Sequence, residues 1–234
     1  MLRMIYPPRC LACGGLVEQE NGICAVCFAQ TPFITGLVCD LCGTSLPGTS
    51  DDLVHCDDCL KIGRPWIKGR APLRYDGVAR RLVLGLKHGD RHDIVPTAAD
   101  WMVGVLPANL PRDTLVVPVP LHLIRLLRRR YNQSALLAQA IARRSDLEFC
   151  PDALFRNRRT ASLEGKSRDS RFAELSDAIS VKPGSAALME RRPILLVDDV
   201  MTSGATLAAC ALACHSAQCR EIYVTVLARV AKDA

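Results

Sequence analysis

The stretch from residue 194 to residue 207, ILLVDDVMTSGATL, constrains the fold of this chain more than any other segment. It begins with an apolar run at 194–197, which predicts a buried strand. Two acids, Asp198 and Asp199, come next, followed by a turn of small residues and a helical pattern over 206–216. Such a strand, turn and helix N-terminus predict an anion site, because free backbone N–H groups and the helix dipole converge there.

The residue types of this segment also indicate a class of ligand. Gly204 lets the backbone approach a phosphate closely. The two carboxylates suit a pair of hydroxyls or a metal ion beside that phosphate, and a ligand with a phosphate and a diol is a sugar phosphate. The alternative interpretation is a buried strand that leads into a capped helix, with Asp198 and Asp199 as solvated turn acids.

The segment resembles the phosphoribosyl pyrophosphate (PRPP) motif of type I phosphoribosyltransferases, which has an apolar strand, two acids and a Thr-Ser/Thr-Gly-x-Thr turn. The resemblance implies that Asp198 and Asp199 hold the ribose 2′ and 3′ hydroxyls. It also implies that the turn binds the 5′-phosphate of PRPP or of a nucleoside 5′-phosphate. The residues assigned to that phosphate are Thr202, Ser203, Gly204, Ala205 and Thr206.

Eight of the twelve cysteines form four Cys-x-x-Cys pairs within the first 60 residues. Two such pairs make a tetrahedral thiolate site, so the pattern predicts two structural zinc ions. The short loops favour sequential pairing, although spacing alone leaves interleaved pairing and an iron–sulfur cluster open. Few large apolar residues lie in this region, so metal must replace a core. The predicted ligands are Cys10, Cys13, Cys24, Cys27, Cys39, Cys42, Cys56 and Cys59.

Charge is distributed unevenly along the 234 residues, which carry a formal net charge of +6. Residues 1–60 hold two basic and seven acidic side chains, whereas 61–234 hold 28 basic and 17 acidic ones. Thiolate ligands make the N-terminal part more negative still, so we predict that it does not bind nucleic acid by itself. No apolar run reaches about 18 residues and no signal-peptide pattern is present, which predicts a cytoplasmic protein without membrane insertion.

Alternating strand and helix patterns predict an α/β fold, with a mostly parallel sheet flanked by helices and preceded by a small zinc-ribbon module. The predicted division is 1–62 for the double zinc ribbon and 63–234 for the larger domain, with a linker at 61–70. The stretch 151–180 is charged and rich in Gly and Ser, which predicts a mobile loop. Predicted strands cover 71–75, 114–119, 194–197 and 222–227, and predicted helices cover 77–87, 94–106 and 206–216, with a further helix within 121–144.

A basic loop after the 114–119 strand is a second candidate anion site, because the planar guanidinium group of Arg can donate two parallel hydrogen bonds to phosphate oxygens. A solvated helix face is the alternative.

Three segments of the chain resemble those of ComF-family proteins: PVPLH…RRRYNQSALLA, YDGVARRLVLGLKHGD and PPRCLACGG. Proteins of this family are competence-related and phosphoribosyltransferase-like, and they typically carry an N-terminal double zinc ribbon. Four residues are assigned by this resemblance to the pyrophosphate side: Leu121, His122, Arg125 and Arg128.

The resemblance further implies catalytic roles for Asp198, Asp199, Lys87 and Arg171, with the loop around Arg171 as a catalytic lid. The lid departs from the family pattern, because Leu163 stands where the family usually has Gln and Glu174 where Asn is common.

The implied activity is Mg²⁺-dependent transfer of ribose 5-phosphate from PRPP to an unknown acceptor, a reaction of nucleotide metabolism. There are two alternatives. One is an adaptor for competence or repair that binds single-stranded DNA or competence or repair proteins and has a sensory or vestigial PRPP site. The other is a pure interaction scaffold.

Overall fold

The computed structural model describes residues 7–121, 131–157 and 178–231 of the chain. Within these ranges, no helix is both long and apolar enough to cross a bilayer. The helices are α1 (Ala25–Ala29), α2 (Asp57–Lys61), α3 (Gly77–His88), α4 (Ile94–Gly104), α5 (Gln133–Ser145), α6 (Pro183–Met189) and α7 (Ala205–Ser216). The strands are β1 (Lys68–Arg70), β2 (Leu73–Arg74), β3 (Leu115–Pro118), β4 (Glu148–Phe149), β5 (Leu154–Arg156), β6 (Ile179–Val181), β7 (Pro193–Met201) and β8 (Glu221–Arg229).

The larger sheet has six strands, in the order β1-β8-β7-β3-β4, and β2 also pairs with β8. Every pairing in this sheet is parallel, whereas β5 and β6 form a separate antiparallel pair. The predicted α/β class with a mostly parallel sheet is therefore confirmed. In such a sheet the carboxyl ends of neighbouring strands meet at one edge, which is where ligands bind in this class.

Both faces of the sheet are buried, and β7 shows how its sequence achieves this. Ile194 and Leu196 pack into a cluster with α7, whereas Leu195 and Val197 pack into a second cluster with α3, α4 and α5. Successive side chains of a strand point to opposite faces. A strand that is covered on both sides therefore reads as an unbroken apolar run, as this one does.

The two zinc ribbons share one local design. In each, a hairpin carries the first cysteine pair and bends at a glycine with positive φ, +76° at Gly14 and +67° at Gly43. The Gly14 N–H donates to the Cys10 carbonyl at 2.9 Å, and the Gly43 N–H donates to the Cys39 carbonyl at 2.8 Å. The second cysteine pair of each ribbon begins at the N-terminus of a short helix, α1 or α2. The N-terminal module is thus an internal repeat.

The ribbons lie on opposite faces of the sheet at its β1 edge. The first ribbon contacts α4, where Phe33 meets Trp101 edge to face with ring centroids 5.2 Å apart. The second contacts β1, where the Gly69 N–H donates to the Asp40 carbonyl at 2.8 Å. Trp66 is only 4% exposed and donates from its indole N–H to the Leu41 carbonyl at 2.6 Å.

The prediction of a linker at 61–70 is therefore wrong for its second half. β1 lies within it, and pairing with β8 and with the second ribbon fixes a segment that has no strand-like apolar pattern of its own. The division of the chain at residue 62 remains a prediction.

Two further differences separate the structure from the sequence pattern. β7 continues to Met201, so the two acids lie within the strand and not after it. Pairing with β8 as far as Arg229 holds the backbone extended there, which overrides the low strand preference of Asp. The predicted loop at 151–180 contains β5 and β6 at its two ends, and its central part, 158–177, lies outside the described residues.

Candidate functional site

Asp198 is held from two directions near the carboxyl end of β7. The Ser134 hydroxyl donates a hydrogen bond to Asp198 Oδ1 at 2.8 Å, and the Asp199 N–H donates to the same oxygen at 2.9 Å. Ser134 lies in the first turn of α5, which begins after the capping residue Asn132. The Asn132 side chain also donates to the Val119 carbonyl at 3.0 Å. The start of α5 is therefore fixed to the end of β3 and orients the Asp198 carboxyl.

The environment of Asp198 favours its protonated form. Burial raises the pKa of Asp198 from 3.8 to about 7, and the neighbouring charge of Asp199 acts in the same direction. The hydrogen bonds from Ser134 and from the Asp199 amide lower the pKa but do not outweigh burial. The carboxyl consequently exchanges its proton close to neutral pH, where a bound cation or hydroxyl pair would draw it into the charged form.

Folding stability is expected to fall as pH rises through this pKa. The folded chain holds a proton on Asp198 over a range, from about pH 4 to about pH 7, in which the unfolded chain has released it. This contribution is complete below about pH 4 and is lost by about pH 7. Asp198→Asn should therefore have a flatter profile of melting temperature against pH than wild type, and a higher melting temperature at about pH 8.

The measurement is a set of thermal melts without Mg²⁺ or ligand, with the exposed Asp51→Asn as the matched control. A wild-type profile that runs parallel to that of Asp198→Asn would contradict the prediction.

Asp199 forms an ion pair with Lys87. Lys87 Nζ lies 3.0 Å from Asp199 Oδ1, and the side chains are 23% and 10% exposed. Lys87 lies in the last turn of α3, whose final carbonyls accept hydrogen bonds from two side chains at the start of α5. Tyr131 Oη donates to the Leu86 carbonyl at 2.8 Å, and Gln133 Nε2 donates to the Lys87 carbonyl at 3.4 Å. The predicted site residues Asp198, Asp199 and Lys87 are thus brought together.

The turn after β7 has the conformation that an anion site needs. Gly204 has a φ of +81° and caps α7, so a side chain there would be strained. A small pocket of about 40 Å³ opens here, enough for a small anionic group and too small for a whole nucleotide. The pocket is lined by Asp198 and by residues 200–207. All five residues predicted to bind the 5′-phosphate therefore line one cavity next to one of the acids.

Several predicted residues fall outside the part of the chain that the structure describes. They are His122, Arg125, Arg128, Leu163, Arg171 and Glu174. Leu121 is described and is partly buried, three residues after the end of β3. Its role on the pyrophosphate side and the roles of the others remain predictions.

The eight N-terminal cysteines form two four-sulfur clusters, and the sequential pairing is confirmed. One cluster is Cys10, Cys13, Cys24 and Cys27, and the other is Cys39, Cys42, Cys56 and Cys59. The sulfurs of Cys13 and Cys24 are 3.8 Å apart, and those of Cys42 and Cys56 are 3.6 Å apart. Four Zn–S bonds of about 2.3 Å in a tetrahedron put sulfurs about 3.8 Å apart. The donor set and its spacing therefore fit zinc.

The crowded thiols show why a cation is needed. In the second cluster, hydrogen bonds from Cys42 and Cys59 hold the pKa of Cys39 far below its usual range. Hydrogen bonds with Cys39 and Cys42, together with burial, raise the pKa of Cys59 far above its usual range. The contacts among these sulfurs therefore favour the charge on Cys39 and the proton on Cys59. A divalent ion removes this conflict, because it allows all four to bind as thiolates.

The other four cysteines lie outside both clusters. Cys150, Cys210 and Cys214 are buried and Cys219 is partly buried. Burial raises the pKa of Cys210 far above its usual range. These thiols are therefore kept in their neutral form.

Sequence reasoning missed three residues that support the site. Ser134 contacts Asp198, and Arg64 and Arg229 contact the backbone carbonyls of the turn. Arg64 and Ser203 are 139 positions apart in sequence, so no local pattern connects them. The one available signal was Arg229 itself, a charged residue at the end of an otherwise apolar strand pattern.

Fold and site together define an α/β protein that carries a double zinc ribbon beside a strand–turn–helix unit, the candidate anion site. Residues 1–60 match the family of the double zinc ribbon domain. The chain is 31% identical over 227 residues to "Competence protein F" of Haemophilus influenzae, with 94% of this chain and 96% of that protein covered. The chain belongs to this competence protein F (ComF) family, as its sequence motifs predicted.

Other relatives share most of its length. The chain is 32% identical to "DNA utilization protein YhgH" of Escherichia coli over 80% of this chain and 81% of that protein. It is 28% identical to "Competence protein ComFC" of Bacillus subtilis over 82% of this chain and 77% of that protein. Among solved structures, it is similar to adenine phosphoribosyltransferase from Thermoanaerobacter pseudethanolicus, with a TM-score of 0.41 and 15% identity over 64% of this chain and 74% of that chain.

Proposed function

We propose that this protein binds PRPP at the end of β7 and transfers its ribose 5-phosphate to an acceptor. The observation that carries the proposal is the apposition, in one strand–turn–helix unit, of the acid pair Asp198 and Asp199 and a small pocket lined by the turn. The pocket suits a phosphate because it lies at the N-terminus of α7. The acids suit the vicinal hydroxyls of a ribose.

Each group in the site has a defined task under this proposal. The turn at 202–206 holds the 5′-phosphate through backbone N–H groups and hydroxyls. The two carboxylates accept hydrogen bonds from the ribose hydroxyls. Lys87 holds the side chain of Asp199 in place before the ligand arrives, because Lys87 Nζ lies 3.0 Å from Asp199 Oδ1.

The chemistry requires the release of pyrophosphate from the ribose. The bond between C1′ and the pyrophosphate oxygen breaks, C1′ develops positive charge, and the acceptor nucleophile forms the new bond. Catalysis then consists of holding the charged ends in place and neutralising the leaving group. Arg125, Arg128 and Arg171 are the side chains we propose for the pyrophosphate, since Arg matches phosphate oxygens.

Magnesium would enter this site with PRPP. The donors present are carboxylate oxygens, the hard ligands that Mg²⁺ prefers together with substrate phosphates. When bound, the ion would neutralise pyrophosphate charge. Asp199 would share its charge between that ion and Lys87.

The first test is calorimetric titration of the full chain with PRPP, with and without Mg²⁺. We expect saturable 1:1 binding that strengthens when Mg²⁺ is added. Ribose 5-phosphate should bind more weakly, because it lacks the pyrophosphate, and free pyrophosphate should not reproduce the Mg²⁺-dependent binding. An absence of PRPP binding to protein that contains both zinc ions would overturn the proposal.

The names of the relatives favour a second candidate, a role in handling DNA during uptake or utilisation. The distribution of charge supports it, since residues 61–234 carry 28 basic and 17 acidic side chains. Single-stranded DNA could then bind along the larger domain through its phosphates. Fluorescence anisotropy with a single-stranded oligonucleotide over a salt series tests this, because phosphate contacts make affinity fall with salt. Competition by PRPP would indicate that the two ligands share one site.

A further inference from the structure

Two arginines lie between the second zinc site and the turn that follows β7. Arg64 donates from Nη1 to the Ser203 carbonyl at 2.7 Å and from Nε to the sulfur of Cys59 at 3.5 Å. Arg229 donates from Nη1 to the carbonyls of Met201 and Thr202, at 3.1 and 2.7 Å. Three successive carbonyls of the turn are therefore bound by arginine side chains.

These contacts decide where the amides of the turn point. In a trans peptide the C=O group and the N–H group that follows it point in opposite directions. Fixing the carbonyls of residues 201, 202 and 203 towards the arginines therefore directs the N–H groups of Thr202, Ser203 and Gly204 the other way. Among the described residues, none of these three amides donates a hydrogen bond within the chain. Successive free N–H groups of this kind form an anion-binding concavity.

Arg64 is itself held firmly in place. Its guanidinium lies over the Trp66 ring, 5.4 Å from the ring centroid, and the Trp66 indole is bonded to the knuckle between Cys39 and Cys42. A Cβ at position 204 would lie 2.7 Å from Arg64 Nη1 and 3.4 Å from the Trp66 ring. Only glycine at 204 thus allows the turn to lie directly on this arginine.

The charge of the loaded zinc site explains why arginines occupy this position. Four thiolates around one Zn²⁺ carry a net charge of −2, and a sulfur of that site accepts from Arg64. Arg229 also lies near enough to act electrostatically on Cys42. The Nη2 group of Arg64 is buried and has no acceptor in the described part of the chain. The arginine is therefore stabilised by the anionic metal site and by the carbonyls of the turn.

We propose that zinc in the second ribbon positions the phosphate turn through Arg64 and Arg229, so that this site sets the affinity for the phosphate-bearing ligand. Among the described residues, no arginine links the zinc site of the first ribbon to this turn. This inference rests on the proposed function. Arg64 acts as a positioning residue, because it binds a carbonyl of the turn and not the ligand.

Substitution of Arg64 tests the proposal in the full chain. Arg64→Ala should bind Mg²⁺–PRPP roughly tenfold more weakly, the lower end of what loss of a supporting partner costs, while elemental analysis still gives two zincs per chain. Arg64→Lys should bind Mg²⁺–PRPP more tightly than Arg64→Ala but more weakly than wild type, because lysine keeps the positive charge and lacks the planar set of donors of the guanidinium. The matched control is Arg9→Ala, because Arg9 makes a similar contact in the first ribbon, to the Gly14 carbonyl at 3.0 Å. It should bind as wild type does.

A spectroscopic readout separates positioning from general stability. Cadmium in place of zinc gives one ¹¹³Cd resonance for each site, and cysteine variants assign them. Adding Mg²⁺–PRPP should shift the resonance of the second site and leave that of the first unchanged. In Arg64→Lys the shift should shrink, and this variant serves if Arg64→Ala does not fold.

The possible failures are distinguishable. If wild-type protein does not bind PRPP, the proposed function fails. If wild type binds PRPP but Arg64→Ala binds it equally well, or if the second cadmium resonance does not respond, the link between zinc and the turn is overturned and the proposed function stands.

Discussion

Replacing Cys39 by serine is expected to remove one of the two zinc ions and to unfold the second ribbon. Cys39 is fully buried and packs in the same cluster as Trp66 and the α7 side of the sheet. A structural zinc site of this kind contributes roughly 10–16 kcal/mol of apparent free energy, as much as the whole stability of a typical domain, about 5–15 kcal/mol. Loss of the site should therefore leave little folded protein at room temperature, or a large drop in melting temperature.

Zinc content and thermal melts of the purified full chain check this expectation. The matched control is Cys210→Ser, which also places a hydroxyl at a fully buried cysteine position but lies outside both metal clusters. It should lower the melting temperature and retain two zincs. Retention of two zincs by Cys39→Ser, or a melt like that of wild type, would contradict the assignment of ligands.

Asp199→Asn is expected to weaken Mg²⁺–PRPP binding on the order of tenfold to a hundredfold, since hydrogen bonds to charged groups contribute roughly 1.5–3 kcal/mol. The asparagine keeps the size of the side chain but is a poorer acceptor for ribose hydroxyls and has no charge for Mg²⁺. It also leaves Lys87 without its carboxylate partner. Calorimetric titration measures the loss of affinity.

A melting curve must accompany this titration, because Asp199 is only 7% exposed. Asp113→Asn provides the matched control, since Asp113 is an exposed carboxylate paired with Arg220 at 3.3 Å. Binding by Asp199→Asn at wild-type affinity, with an unchanged melt, would defeat the sugar-phosphate interpretation. The DNA-handling role would then become the leading hypothesis.

The sequence predicted those parts of the molecule whose signals are local. The spacing of the cysteine pairs predicts metal-binding knuckles, and neighbouring knuckles share a site because short loops bring them together. The apolar run at 194–197 predicts a strand that is buried on both faces. The small residues around Gly204 predict a tight turn, and Gly204 has the positive φ that such a turn requires.

Contacts between distant segments could not be predicted in this way. β1 contains Lys, Gly and Arg, and it is a strand only because β8 pairs with it. Ser134 meets Asp198 across 64 positions, and the sequence around Ser134 looks like an ordinary helix start. Arg64 stood in a segment that reads as a basic linker, and its role depends on two partners, Cys59 and Ser203, that only the fold brings to it.

The pairing of β1 with β8 has a consequence for how the protein is made. Lys68 emerges early from the ribosome, but its partner Tyr223 is added only after nearly all of the domain has been synthesised. The ribbons, built from contacts within about 60 residues, can acquire zinc while the sheet that they cover is still incomplete. Arg229 lies in the same late strand, so the turn gains its full set of arginine contacts only when synthesis of β8 is complete.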